Sequence, residues 1–101
     1  MCILARECYK NSIFRKVVGT PEFTTDNGYT WKSLDLLLGV YPGIVGGKTG
    51  WTPRLGCCYL NCYEKDGVRI AIVIGRATNN KKKVRFEEAK SMLEWTLANR
   101  F

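Results

Sequence analysis

Asp66-Gly67 stands between two strand-like runs, residues 57–65 and 68–75, and no other feature constrains this chain as much. Asp and Gly tolerate the positive φ that a two-residue hairpin needs, so the runs read as adjacent antiparallel strands. The second run, Val68-Arg69-Ile70-Ala71-Ile72-Val73-Ile74-Gly75, is rich in the β-branched residues that suit a pleated surface. In the first, Cys58 and Cys62 share a face with Leu60 while Cys57 and Tyr59 take the other. Residues 44–50 read as a further strand, which makes three in succession. Such a sheet needs cover. Residues 84–99 supply it, because Phe86, Ala89, Leu93 and Leu97 recur at i, i+3, i+7 and i+11 on one face of a helix. Arg85 with Glu88, and Glu87 with Lys90, are spaced to pair outside that face. The expected fold class is α+β: an antiparallel sheet of about three main strands plus a small hairpin, with N- and C-terminal helices packed on it.

The remaining segments fit around this frame. Residues 1–10 read as a helix with Met1, Ile3, Leu4 and Cys8 on its apolar side and Arg6, Glu7 and Lys10 opposite. Asn11-Ser12 stops it; a helix stop and cap is preferred over a catalytic cluster of Asn11, Ser12 and Arg15. Residues 13–21 run from a short helical turn into an extended stretch, with their apolar side chains expected in the core. Residues 22–25 and 29–32 form a hairpin about Asp26-Asn27-Gly28, with Trp31 as a packing residue. Residues 36–39 read as an apolar helical turn, Tyr41-Pro42-Gly43 as a turn and residues 76–83 as a basic loop.

With 101 residues, 46% of them hydrophobic and 25% charged, the chain is one domain at most, at the small end of what buries a self-sufficient core. Its net charge of +7 is spread along the sequence apart from Lys81-Lys82-Lys83 with Arg85. That distribution favours a solvated basic surface over a nucleic-acid site, and no nucleic-acid motif accompanies it. Five cysteines and no histidine, without a Cys-x-x-Cys pair, argue against zinc and leave free thiols in a packed sheet. No cofactor or metal is expected. No signal peptide or membrane span is legible, since the apolar runs are short and broken by Gly, Lys or Arg.

The chemistry concentrates in Gly46-Gly47-Lys48-Thr49-Gly50-Trp51-Thr52-Pro53. A lysine and a threonine hydroxyl between glycines that admit close approach are suited to hold a carboxylate; the bland alternative is a solvated lysine on a strand end. The flanking Leu36-Leu37-Leu38-Gly39, Tyr41-Pro42-Gly43-Ile44, Gly56-Cys57-Cys58-Tyr59-Leu60 and the run from Asp66 to Gly75 decide between them. In order and spacing, these segments resemble the carboxy-terminal half of the serine-type D-Ala-D-Ala carboxypeptidases, the low-molecular-mass penicillin-binding proteins, whose third signature is Lys-Thr-Gly. The resemblance covers nearly all of the chain, residues 1–101, as a single partial domain. It implies that the chain starts at a methionine internal to full-length relatives. Glu94-Trp95 resembles the family's closing helix, whereas Lys32-Ser33-Leu34-Asp35 departs from its usual Asn-Thr-Asn-like run.

In that family a serine of Ser-x-x-Lys attacks the bond between two D-alanines of a peptidoglycan stem peptide, and β-lactams acylate the same serine. The resemblance implies that Lys48 supplies positive charge and Thr49 binds the terminal carboxylate. It further implies that Gly50 leaves room and that the Trp51 backbone N–H is one of two oxyanion donors. The nucleophile is absent. Ser12, Ser33 and Ser91 are followed at the third position by Arg15, Leu36 and Glu94, and at the second by Phe14, Asp35 and Leu93. Neither Ser-x-x-Lys nor Ser-x-Asn exists, and lack of histidine excludes a Ser-His-Asp triad; Cys57 or Cys58 near Lys48 is a remote substitute. The expected function is a carboxypeptidase segment that carries the carboxylate-binding strand and is inactive alone. The alternative is a non-catalytic binding or assembly module for D-Ala-ending peptides or partner chains. Expected partners are a stem peptide ending in D-Ala-D-Ala, a β-lactam, or a second copy meeting the exposed sheet edge or face. Nucleic acid is not among them. The family acts outside the cytoplasmic membrane.

Overall fold

The computed structural model describes residues 1–77 and 83–99. Its elements run α1 (Cys2–Cys8), α2 (Ser12–Val18), β1 (Glu22–Thr24), β2 (Thr30–Lys32), β3 (Lys48–Thr52), β4 (Gly56–Lys65), β5 (Val68–Ile74) and α3 (Val84–Asn99). The main sheet has the order β3-β4-β5, and β1-β2 form a separate hairpin. Both sheets are antiparallel. Asp66 and Gly67, at φ 53° and 77°, turn β4 into β5, which is the pair of positive φ values that a tight hairpin following the strand twist uses.

Strand β4 separates two layers. Its Cys57, Tyr59 and Tyr63 are buried, and Tyr59 and Tyr63 join Leu37, Ile72, Ile74 and the α3 residues Phe86, Ala89 and Leu93 in the larger core. The smaller core lies on the opposite face, where Cys62 meets Ala5 and Tyr9, with Phe14, Val18 and Leu60 packed around them. The period of two along β4 thus gives each face its own helix partner. Burying a Leu or Phe completely stabilises by about 1.5–3 kcal/mol, so Leu93 and Phe86 anchor α3 to the sheet.

Several expectations are corrected. The strand placed at residues 44–50 begins at Lys48 and continues to Thr52; Ile44 pairs with Tyr63 of β4 in an isolated bridge, flanked by hydrogen bonds from the Glu64 N–H to the Gly43 carbonyl (2.7 Å) and from the Val45 N–H to the Cys62 carbonyl (2.9 Å). Gly46 is the reason. Its φ of 119° interrupts the ladder, and a Cβ there would lie 2.1 Å from the Val18 carbonyl oxygen at the end of α2. In α1 the buried side chain is Ala5, while Met1, Ile3 and Leu4 are exposed. The short helix docks through the smallest residue on its surface, with Tyr9 beyond its end. Asn11 caps α2 as expected, accepting from the N–H of Ile13 (2.9 Å) and Phe14 (3.0 Å). Ile13 and Val17 are exposed, so only Phe14 and Val18 of that segment reach the core. Trp31 pairs with Phe23 across the hairpin, and both are exposed because nothing described packs over β1-β2. Arg85 is buried and forms no ion pair with Glu88, nor does Glu87 with Lys90. Residues 78–82 of the expected basic loop lie outside the described residues. The five cysteines are free, with Cys57 and Cys62 buried.

Candidate functional site

Lys48, Thr49, Gly50 and Trp51 all lie on β3, opposite Leu60, Tyr59, Cys58 and Cys57 of β4. Since β3 is an outer strand of the sheet, its far side faces away from β4, where an extended ligand can align with backbone groups. Beside it Ser33, Leu34 and Asp35 close a cleft of about 160 Å3 with Gly47, Lys48 and Thr49. The Lys48 Nζ donates to the Thr49 carbonyl. A groove of about 320 Å3, mostly apolar, opens along Thr49, Gly50, Tyr59 and Val73.

The approach to β3 is held by polar side chains that sequence reasoning did not select. Asp35, buried to 6% exposure, accepts from the Tyr59 hydroxyl (2.6 Å) and the Leu37 N–H (3.0 Å) on Oδ1 and from Asn61 Nδ2 (2.6 Å) on Oδ2. Asn61 Nδ2 also donates to the Tyr59 oxygen. Its Oδ1 accepts from the N–H of Gly46 (3.2 Å) and of Cys62 (2.6 Å), while the Tyr9 hydroxyl donates to the Gly46 carbonyl. The Ser33 hydroxyl oxygen accepts the Asp35 N–H (3.1 Å). Burial, then the hydrogen bond to Asp35, pushes the Tyr59 phenol far above its usual range, and burial does the same to Tyr9. Both stay neutral donors at any physiological pH. The network ties the loop carrying Ser33 to Leu37, the Gly46 bend and the centre of β4 into one unit directly before Lys48.

Behind β3, Arg85 of α3 donates through Nη1 to the carbonyls of Gly50 (3.1 Å) and Cys58 (3.4 Å), with its guanidinium 5.0 Å from the Phe86 ring centroid. Its Nε is buried without a hydrogen-bond partner. A cation so placed fixes the Gly50 carbonyl to α3 and adds positive potential to the strand end.

The structure therefore brings Lys48, Thr49, Gly50 and Trp51 together on one outer strand and places a single serine, Ser33, in their cleft. Ser12 and Ser91 are exposed on α2 and α3. Two signals pointed to the missed residues: Asn61 occupies the core-facing register of β4, where a polar group demands partners, and Ser33-x-Asp35 is a local turn pair just before the leucines. Among the described residues, no group of three or more His, Cys, Asp or Glu converges as metal ligands, and no helix is long and apolar enough to cross a membrane.

A Lys-Thr-Gly strand borders an antiparallel sheet that is backed by a C-terminal helix, and chains of known structure share this fold. The chain is 27% identical to penicillin-binding protein D2 of Listeria monocytogenes in its cefotaxime-bound form, with a TM-score of 0.78 over 88% of this chain and 35% of that one. To the Streptomyces K15 DD-transpeptidase it is 30% identical, with a TM-score of 0.77 over 88% of this chain and 37% of that one. In sequence it is 32% identical over 87 residues to the D-alanyl-D-alanine carboxypeptidase DacF of Bacillus subtilis, covering 81% of this chain and 22% of the relative. No protein-family model matches the chain. In sequence and fold the chain belongs with the D-alanyl-D-alanine carboxypeptidases and penicillin-binding proteins. It spans about a fifth of the length of DacF and about a third of the solved structures.

Proposed function

We propose that residues 1–101 are the carboxylate-binding part of a D-alanyl-D-alanine carboxypeptidase domain, a single partial domain that binds ligand and does not hydrolyse it alone. Lys48 and Thr49 take the terminal carboxylate of a stem peptide ending in D-Ala-D-Ala, or that of a β-lactam. Gly50 leaves room for the chain of the ligand, and the Trp51 N–H is one oxyanion donor. The observation that carries this reading is Lys-Thr-Gly on an outer strand, beside a cleft closed by residues 33–35. With neither Ser-x-x-Lys nor Ser-x-Asn, the second half of the acyl-transfer machinery must come from another polypeptide segment.

A second copy of the chain is the other partner we propose, meeting the sheet along β5. That strand is the other outer strand of the sheet, has no Pro, and carries Arg69 as its sole charge, so little discourages pairing.

Intact-mass spectrometry after incubation with benzylpenicillin, paired with titration of an acetylated D-Ala-D-Ala peptide, tests the ligand reading. The expected result is no covalent adduct, together with saturable binding that Lys48→Ala abolishes. A stoichiometric adduct, on Ser33 in particular, would show that the chain has its own nucleophile, and absence of saturable binding would remove the carboxylate site.

A further inference from the structure

A cleft of about 400 Å3 lies away from Lys48. It opens between α1, the start of α2 and the β4-β5 hairpin, with Cys62, Ile70 and Ala71 at its floor. Its rim carries four cations, Arg6, Lys10, Arg15 and Arg69, against one carboxylate, Glu64. Glu64 is bound at 2.8 Å by Arg15 and at 3.5 Å by Arg69, and Lys10 holds Glu7 at 2.8 Å. Arg6 has no ion-pair partner among the described residues. Counting Glu7 with the rim, four positive charges face two negative ones.

We propose that this cleft binds a diphosphate-class anion, with Arg6, Arg69 and Lys10 as its ligands and Arg15 as the fixed wall. Three features carry the assignment. The surplus of two positive charges suits a multivalent anion. The guanidinium groups come from three separate elements, and their planar forks match phosphoryl oxygens. The partners of the outer cations are also weakly held: the Arg69 side chain is 72% exposed and its contact to Glu64 is long, and the Lys10–Glu7 pair is at the surface. An incoming anion exchanges these contacts at little cost, because exposed ion pairs contribute little. Arg15 differs, since its side chain is only 32% exposed and it also donates to the Tyr9 carbonyl at 3.3 Å. It keeps Glu64 in place. Glu64 is therefore a built-in competitor whose negative charge limits affinity.

Calorimetric titration of the intact chain with inorganic pyrophosphate tests the proposal, with sulfate as the divalent control. Pyrophosphate should bind more tightly than sulfate, Arg6→Gln and Arg69→Gln should each weaken it by about tenfold, and Glu64→Gln should tighten it. Lys48→Ala should leave it unchanged, which separates this cleft from the carboxylate strand. Flotation with phosphatidylcholine vesicles, with and without phosphatidic acid, distinguishes the source. Co-flotation competed by pyrophosphate assigns the site to a lipid headgroup, and solution binding without co-flotation assigns it to a soluble phosphate ester. No pyrophosphate binding, equal binding of sulfate, or full affinity in both arginine variants overturns the proposal. Circular dichroism of each variant guards against loss through unfolding, and the gain expected from Glu64→Gln cannot arise from unfolding.

Discussion

Tyr59 shows how much a single hydroxyl does in this small protein. Its ring packs edge-on against Phe86 at 4.9 Å, while its oxygen satisfies Asp35 from inside the core. Tyr59→Phe keeps the ring contact and removes only the donor. It should cost about 1–3 kcal/mol, the usual penalty for leaving a buried polar group short of a partner. Asp35→Ala should cost more, because the Tyr59 hydroxyl, Asn61 Nδ2 and the Leu37 N–H lose their acceptor together. Urea unfolding of both variants checks the order; a Tyr59→Phe protein as stable as the parent would mean that the network is not holding the Gly46 bend. None of this was legible from the sequence beyond the oddity of Asn61 in a core register and the Ser33-x-Asp35 turn pair. Hydrogen bonds between residues 24 and 26 positions apart leave no periodic trace.

At the scale of elements, the hairpin β4-β5 and the helix α3 were readable because each depends on local patterning: an Asp-Gly turn, alternation, and an apolar face at helical spacing. Strand β3 was readable only in part. Its start at Lys48 is set by Gly46 passing against the end of α2, and Gly47 likewise admits no side chain, since a Cβ would lie 1.8 Å from the Leu60 carbonyl oxygen. Such close approaches belong to packing, and residue type alone does not locate them. Strand β5 carries a prediction of its own. Val73 is half-buried on the outer strand and lines the apolar groove beside Gly50. If the proposed pairing holds, Val73→Lys should convert an associated parent into a monomer while its circular dichroism stays unchanged. Sedimentation velocity over a concentration series decides this. A parent that is monomeric throughout, or a variant that associates equally, would remove β5 as the contact.

The whole molecule combines a sound local core with much uncovered apolar surface: Ile3, Leu4, Ile13, Val17, Phe23 and Trp31 are all exposed. Its response to pH follows from groups on both sides of neutrality. Burial raises the Cys62 thiol and the Tyr9 and Tyr59 phenols above their ordinary values of 9.0 and 10.0. In the unfolded chain these groups ionise first, so the stability they contribute is complete below those values and falls as pH rises above them. The slope is at most about 1.4 kcal/mol per pH unit for each group. Glu64 works in the opposite direction. The hydrogen bond from Arg15 lowers it below 4.5, so its contribution is present above that pH and is lost as the solution is acidified through the folded value. Urea midpoints should therefore decline on both sides, steeply in alkali and gently in acid. A midpoint that stayed flat above about pH 10 would show that the three buried acids are not protected by the fold.

The sequence by itself determined the class of fold, the order of its main elements and the strand on which Lys48 and Thr49 sit. Turn chemistry, side-chain period and motif spacing are local properties, written over a few residues at a time. Tertiary structure decided which faces of α1 and α2 were buried, where β3 began, that Arg85 turned inward onto Gly50, and that Arg6, Arg15 and Arg69 gathered about one cleft. Those outcomes depend on close approach and charge between residues far apart along the chain, and such distances exist only once the chain has folded.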